Sequence, residues 1–256
     1  MRRHLLIVRA GDASLHPRWL AGGKPRNFDL LVSYYGATPD RFRADGDLYH
    51  AMRGPRWPAH HAIYARNREL LGRYHHVAFA CDDLDATTQT WNRLFNACEW
   101  YELDLAQPAI EGYTSRDITR PRPGCLLRYT SYVEIMCAVL SRRALARLGG
   151  TFAESVSGWG LPYLWSKLLP FPEFKLAVVD SIRVRHTMPV RQGSLRPTLD
   201  ALGIDPVVEM HQVMARHGII DPWIGEHARL PIAHGTDGGL TLIASPVEAG
   251  PAPGSG

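Results

Sequence analysis

The sequence predicts an α/β protein built on a mixed, mostly parallel central sheet flanked by helices, and three observations carry that expectation. Short, nearly continuous apolar runs recur at residues 4–8, 28–35, 75–81 and 175–186, as expected of strands covered on both faces. Helical stretches separate them, the clearest carrying Trp91, Leu94, Phe95, Cys98, Tyr101 and Leu105 at helical spacing. The chain has 256 residues, enough for one such domain with a sizeable core.

Taken in order, Met1-Arg2-Arg3 is a basic opening, but the apolar run behind it is too short for a signal peptide and reads as a first strand. Gly11-Asp12 and Gly22-Gly23 mark loops before the strand at 28–35, which Gly36 ends. Residues 59–74 read as a helix with a thin apolar face, and the strand at 75–81 runs directly into Asp82-Asp83. In the second half, 107–110 is a short extended piece, 121–124 a loop, 132–140 a buried strand and 142–148 a short helix. Gly158-Trp159-Gly160 punctuates before an aromatic helix near 163–169, and a last helix is expected at 205–217. One domain is expected over 1–245, with a disordered Pro/Gly-rich tail over 246–256.

The balance of 29 basic and 25 acidic residues gives +4, with a sequence pI near 9.0. Only Lys24, Lys167 and Lys175 are lysines. The arginine excess is compatible with a phosphorylated ligand, and a coding-composition bias would produce it equally. No basic block stands out, so a nucleic-acid partner is not expected. No apolar stretch approaches the roughly 20 residues of a membrane span, so no transmembrane segment is expected either. Cys81, Cys98, Cys125 and Cys137 form no C-x-x-C pair; three lie in apolar runs, as buried thiols of a cytoplasmic protein would. H-E-x-x-H, G-x-S-x-G and the Walker phosphate loop are all missing, which removes support for those enzyme classes.

The sharpest chemical feature is Cys81-Asp82-Asp83-Leu84-Asp85 at the carboxyl end of a predicted strand, where open α/β sheets bind ligands. Residues two apart in extended chain point the same way, so Asp83 and Asp85 could hold a hard cation such as Mn²⁺ or Mg²⁺ together. The same acidic run is also what a helix N-terminus carries. His186 ends the last strong strand, and an imidazole suits a mixed oxygen and nitrogen shell, although strand-end histidines are commonly structural. Around Trp159, Gly158 and Gly160 allow close backbone approach and an indole face for a sugar, or simply a tight turn around a core tryptophan. Arg9-Ala10-Gly11-Asp12 could meet a nucleotide but is no complete G-x-G-x-x-G.

In order along residues 5 to 190, these segments resemble a plant and bacterial family catalogued as domain of unknown function 707, itself similar to glycosyltransferases of the GT-A type. The matching pieces are Arg9-Ala10-Gly11-Asp12 with Ser14-Leu15-His16, Asn27-Phe28-Asp29-Leu30 with Ser33-Tyr34-Tyr35-Gly36, and Gly54-Pro55-Arg56-Trp57-Pro58. They continue with Asp82-Asp83-Leu84, Gln107-Pro108-Ala109, Val133-Glu134-Ile135-Met136 with Ser141-Arg142, Ser157-Gly158-Trp159-Gly160, and Val179-Asp180-Ser181 with His186. The resemblance implies a nucleoside-diphosphate sugar donor, a small-molecule or glycan acceptor, and Mn²⁺ or Mg²⁺ as cofactor. It implies a nucleotide-binding half over 1–105 and an acceptor and metal half over 106–245. On it, Arg9, Ala10, Gly11, Asp29 and Asp82 are expected at the nucleotide, Asp83, Asp85 and His186 at the metal, and Gly158, Trp159 and Gly160 at the acceptor or sugar.

Two departures stand out. Cys81 replaces the first acid of the run before the leucine, and Pro162 stands where family members tend to carry an acid shortly after Gly-Trp-Gly. Proline cannot take a proton, which leaves Glu134 and Glu154 as candidate bases by residue type. The alternatives to sugar transfer are a non-catalytic nucleotide-sugar or glycan binder with a degenerate transferase fold, and a metal-dependent phosphohydrolase or nucleotidyltransferase.

Overall fold

All seven side chains of β1 (His4–Ala10) are buried, because the strand has a parallel partner on each edge and helices on both faces. A computed structural model describes residues 1–190, 192–193, 196–234 and 240–241; the tail expected from Pro246 lies outside them. After β1 come α1 (His16–Leu20), β2 (Phe28–Tyr34), β3 (Leu48–Ala51), α2 (Arg56–Arg66), α3 (Arg68–Leu71), β4 (His76–Cys81) and β5 (Leu84–Asp85). Then follow α4 (Thr88–Trp100), β6 (Leu105–Gly112), β7 (Cys125–Thr130), β8 (Cys137–Ser141), α5 (Arg142–Leu148) and α6 (Leu161–Leu168). The chain continues through β9 (Leu176–His186), α7 (Arg196–Ala201), α8 (Pro206–Arg216) and β10 (Glu226–Pro231).

The main sheet runs β10-β7-β9-β6-β8-β4-β1-β2-β3, with β5 pairing β9 off that path. Parallel pairing joins β3, β2, β1 and β4, and also β6 with β9; the remaining pairs are antiparallel. Alternate residues of β1 face opposite layers, as strand geometry requires. Leu6 and Val8 pack with Trp19, Trp91 and Phe95 on the α1 and α4 side; Leu5 and Ile7 pack with Trp57, Ile63 and Trp165 on the α2 and α6 side. This is a mixed α/β sheet with a helical layer on each face. Among the described residues, no helix is long and apolar enough to cross a membrane.

Where elements differ from expectation, local hydrogen bonding explains it. The helix expected at 59–74 starts earlier and breaks at Asn67, whose side-chain amide donates to the Ile63 carbonyl at 2.9 Å. Leu105, expected on the helix with Trp91, begins β6 instead: Glu102 adopts φ +52 and the Leu103 N–H closes on the Cys98 carbonyl at 2.8 Å. The strand expected at 132–140 begins only at Cys137. Ahead of it the Glu134 N–H donates to Gln107 Oε1 at 2.6 Å and the Ile135 N–H to Glu134 Oε1 at 2.9 Å, so side chains replace ladder partners. That detour carries Glu134 out of the sheet.

Candidate functional site

The carboxyl ends of β1, β2 and β4 open on one side of the sheet, where Gly11, Tyr35, Asp82 and Asp83 gather around a cavity of about 670 Å³. Asp82 is held by the Gly11 N–H at 2.7 Å and the Tyr35 hydroxyl at 3.3 Å. Burial of its carboxylate and the charge of Asp83 outweigh those bonds and push its pKa up to about 6. A cation arriving beside it would relieve both costs.

The turn at 82–83 is pinned to the end of β9. The two-residue β5 sets Leu84 opposite His186, and the Thr187 N–H and hydroxyl both donate to the Asp83 carbonyl, at 3.1 and 2.8 Å. His186 Nε2 lies 3.2 Å from Asp83 Oδ2, and His186 Nδ1 lies 2.8 Å from the Tyr113 carbonyl. A carbonyl only accepts, so Nδ1 carries a proton and Nε2 turns toward the carboxylate. Burial alone would lower the histidine pKa, but the hydrogen bond and charge of Asp83 and the Tyr113 carbonyl raise it overall. Asp83 Oδ1 is buried with no hydrogen-bond partner among the described residues.

This donor set suits a divalent cation that completes its shell elsewhere. An oriented imidazole with its other nitrogen bonded to a carbonyl is the arrangement metal-ligating histidines adopt, and Asp83 has an unused oxygen beside it. Among the described residues no group of three or more His, Cys, Asp or Glu side chains is placed to hold a metal, so the remaining positions would fall to phosphate oxygens and water.

A second cavity of about 330 Å³ shares Asp82 and Asp83 with the first and is lined further by Glu134, Trp159, Tyr163 and His186. The carboxylate pair therefore stands on the wall between two hollows. Glu134 is 5% exposed, with Oε2 accepting from the Ser115 hydroxyl at 3.0 Å and the Tyr132 hydroxyl at 3.3 Å. The loop bearing Trp159 is shaped by its glycines. Gly158 (φ +88) leaves no room for a Cβ, which would come 1.9 Å from Trp57 Nε1, and at Gly160 (φ +95) a Cβ would come 2.7 Å from Val213 Cβ.

Gly11, Asp82, Asp83, His186, Glu134, Trp159 and Gly160 thus converge on the two hollows. Arg9 reaches the smaller one too, but its guanidinium donates to the carbonyls of Ser33, Met52 and Gly54, so it is committed to holding that loop. Five expected residues line neither hollow. Asp85 is exposed in β5 opposite Arg185, because the turn at 82–83 breaks the two-residue period and Leu84 is buried between the carboxylates. Asp29 belongs to the opposite end of β2, bound to Arg2 at 2.8 Å and to the Tyr74 hydroxyl at 3.0 Å. Ala10 is buried and lines neither hollow, its carbonyl accepting from the Tyr35 N–H. Glu154 pairs with Arg216 at 3.3 Å and His217 at 3.4 Å, away from both hollows. Gly158 contributes backbone shape rather than a wall.

Several contributors escaped the sequence reading. Arg56, at the first position of α2, donates to the Cys81 thiol and lines the smaller hollow; Gly54-Pro55-Arg56-Trp57-Pro58 was its signal. Arg116 and Tyr163 line the same hollow with no local motif to mark them. Glu209 of α8 accepts from the N–H groups of Val156 and Ser157 at 2.6 and 2.9 Å and from the Ser155 hydroxyl at 2.8 Å, bracing the loop ahead of Trp159.

No family model matches the chain, and no curated protein matches it. Solved structures do. Staphylococcus aureus TarS residues 1–349 in complex with UDP-GlcNAc superimposes with a TM-score of 0.53 at 12% identity, over 84% of this chain and 64% of that one. GalNAc-T7 with UDP, GalNAc and Mn²⁺ superimposes with a TM-score of 0.56 at 11% identity, over 83% of this chain and 48% of that one. The chain spans less than two thirds of the length of either. The fold is the GT-A glycosyltransferase fold.

Proposed function

We propose that this protein, a relative of the domain 707 family, transfers a sugar from a nucleoside-diphosphate donor to an acceptor with the help of a divalent cation. The observation that carries this reading is the position of Asp83, on the wall between the two hollows and bonded to His186 of the smaller one. The larger hollow, at the ends of β1 and β2 with Gly11 and Tyr35, would take the nucleotide; the smaller one, with Trp159 and Glu134, would take the sugar and acceptor. The diphosphate linking donor halves then falls beside Asp83. Two structural neighbours carry a UDP-sugar or UDP with Mn²⁺, which supports the same reading.

Asp83 and His186 would hold Mn²⁺ or Mg²⁺, which when bound neutralises charge growing on the departing diphosphate. Arg56 adds a fixed positive charge next to the same turn. Trp159 offers a half-buried indole to the sugar. Glu134 would accept the acceptor proton; the sequence alternative Glu154 is engaged by Arg216 and His217. Asp83→Ala is expected to abolish Mn²⁺-dependent UDP binding in calorimetry while circular dichroism stays native. Unchanged binding would end the proposal.

A binder without transferase activity is the second reading, and Pro162 on the wall of the smaller hollow favours it, since the acid expected near that position is missing. Incubation with a panel of nucleotide sugars separates the two: a transferase releases free nucleotide slowly, and a binder releases none.

A further inference from the structure

Resting on the transferase reading above, we propose that the acceptor carries an oxyanion, a carboxylate or phosphate, and that Arg116 with Tyr163 receives it. Arg116 comes from the loop after β6, half-buried on the wall of the smaller hollow. Its guanidinium lies 5.9 Å from the Tyr163 ring centroid and donates to the Tyr163 hydroxyl.

Among the described residues no carboxylate forms an ion pair with it, and the acids near it are hydrogen-bonded to other groups. Asp117 pairs with Arg120 at 3.3 Å. Glu134 is held by Ser115, Tyr132 and the Ile135 N–H, and Asp83 faces His186. Because the Tyr163 oxygen accepts from Arg116, its own proton is left to donate outward.

The energetics then favour a charged guest. A neutral acceptor seated here would strip water from the guanidinium and return no counter-charge. An oxyanion would accept from the guanidinium fork and the tyrosine hydroxyl together, the geometry arginine is suited to. Ser115 connects this corner to Glu134, so an acceptor anchored by its anion would present a neighbouring hydroxyl to the candidate base. The arginine near the diphosphate, Arg56, lies instead against Cys81 and Trp57, which separates the two cationic roles within one hollow.

The test titrates the full chain, with UDP and Mn²⁺ present, with glucuronate, glucose 6-phosphate and glucose, and separately with UDP-glucuronate and UDP-glucose. At least one charged monosaccharide is expected to bind about tenfold or more tighter than glucose, the scale of a charged hydrogen bond. Arg116→Gln should erase that preference, Arg116→Lys should keep part of it, and both should melt near the wild-type temperature. In both variants the ratio of UDP-glucuronate to UDP-glucose affinity should stay that of the wild type. Equal binding of all three monosaccharides, or a preference that survives Arg116→Gln, would overturn the proposal. So would Arg116-dependent tightening of UDP-glucuronate over UDP-glucose, which puts the anion on the donor. Loss of UDP binding in Asp83→Ala is read in a separate titration, so failure of the transferase reading and failure of the acceptor assignment give different results.

Discussion

His186 Nε2 faces Asp83 Oδ2 at 3.2 Å, joining the end of β9 to the turn that follows β4. Neither residue can be shifted without the other, because Leu84 pairs with His186 and Thr187 holds the Asp83 carbonyl. If the pair holds one cation, its members act as a unit and their losses do not add. His186→Ala should weaken Mn²⁺-dependent UDP binding by about tenfold to a hundredfold, in the range that ligand-set changes produce. Asp83→Asn keeps a neutral oxygen donor and should leave measurable binding, and the double variant should bind no worse than Asp83→Asn alone. Additive losses in calorimetry would show two independent contacts.

Trp159 stands in the smaller hollow and contributes nothing to the wall of the larger one. Trp159→Ala is therefore expected to weaken a UDP-sugar by roughly 1 kcal/mol or more, the worth of a lost stacking surface, while the affinity for UDP itself is unchanged. Titrating both ligands into the same variant checks this. Equal loss would place the indole at the nucleotide.

Gly158 sits at φ +88 with Trp57 Nε1 where a side chain would begin. Gly158→Ala combines an unfavourable backbone region with overpacking against an indole already enclosed by Phe79, Phe152 and Trp165. The expected cost is about 2–5 kcal/mol, read as a lower denaturant midpoint. Gly150, with open space around its added Cβ, is the control: Gly150→Ala should cost little.

The parallel strands β1, β2 and β4 and the turn at Asp82-Asp83 were legible because each is a local pattern: an apolar run, then acids at its carboxyl end. The strand β3 was not, since none of its four residues is buried and no apolar run marks it. Asp85 and Asp29 went astray for a related reason. Asp85 was placed by spacing, which says nothing about a turn that breaks the strand period, and Asp29 by the resemblance, which says nothing about which end of a strand opens on a cavity. Arg116 and Glu209 act through contacts 47 and 52–54 residues away along the chain, so no local signal could have singled them out.

Buried neutral histidines give the fold a predictable acid limit. His60 is fully buried between Trp57 and Phe79, with neither ring nitrogen hydrogen-bonded among the described residues, and burial aided by the charges of Arg56 and Arg9 holds its pKa well below the ordinary value. Burial lowers His4 to about 4, and it lowers His76 as well. In the unfolded chain these groups take up protons near pH 6.5, so below that pH the unfolded state binds more protons and stability falls as pH falls. The stabilisation is complete above about pH 6.5 and drains away toward pH 4, by up to about 1.4 kcal/mol per pH unit for each group. His186 opposes the trend: its raised pKa stabilises the fold below the unfolded value and is lost as pH rises through the folded one. Six histidines are lowered (His4, His16, His50, His60, His76 and His227) against the raised His186 and the raised Asp82 carboxyl, so the net slope is positive between pH 4 and 6.5. His60→Phe keeps an aromatic ring in the same place and removes the proton site, so it should flatten the decline measured by urea melts between pH 7 and 4.5. A variant with the wild-type slope would show that His60 does not limit acid stability.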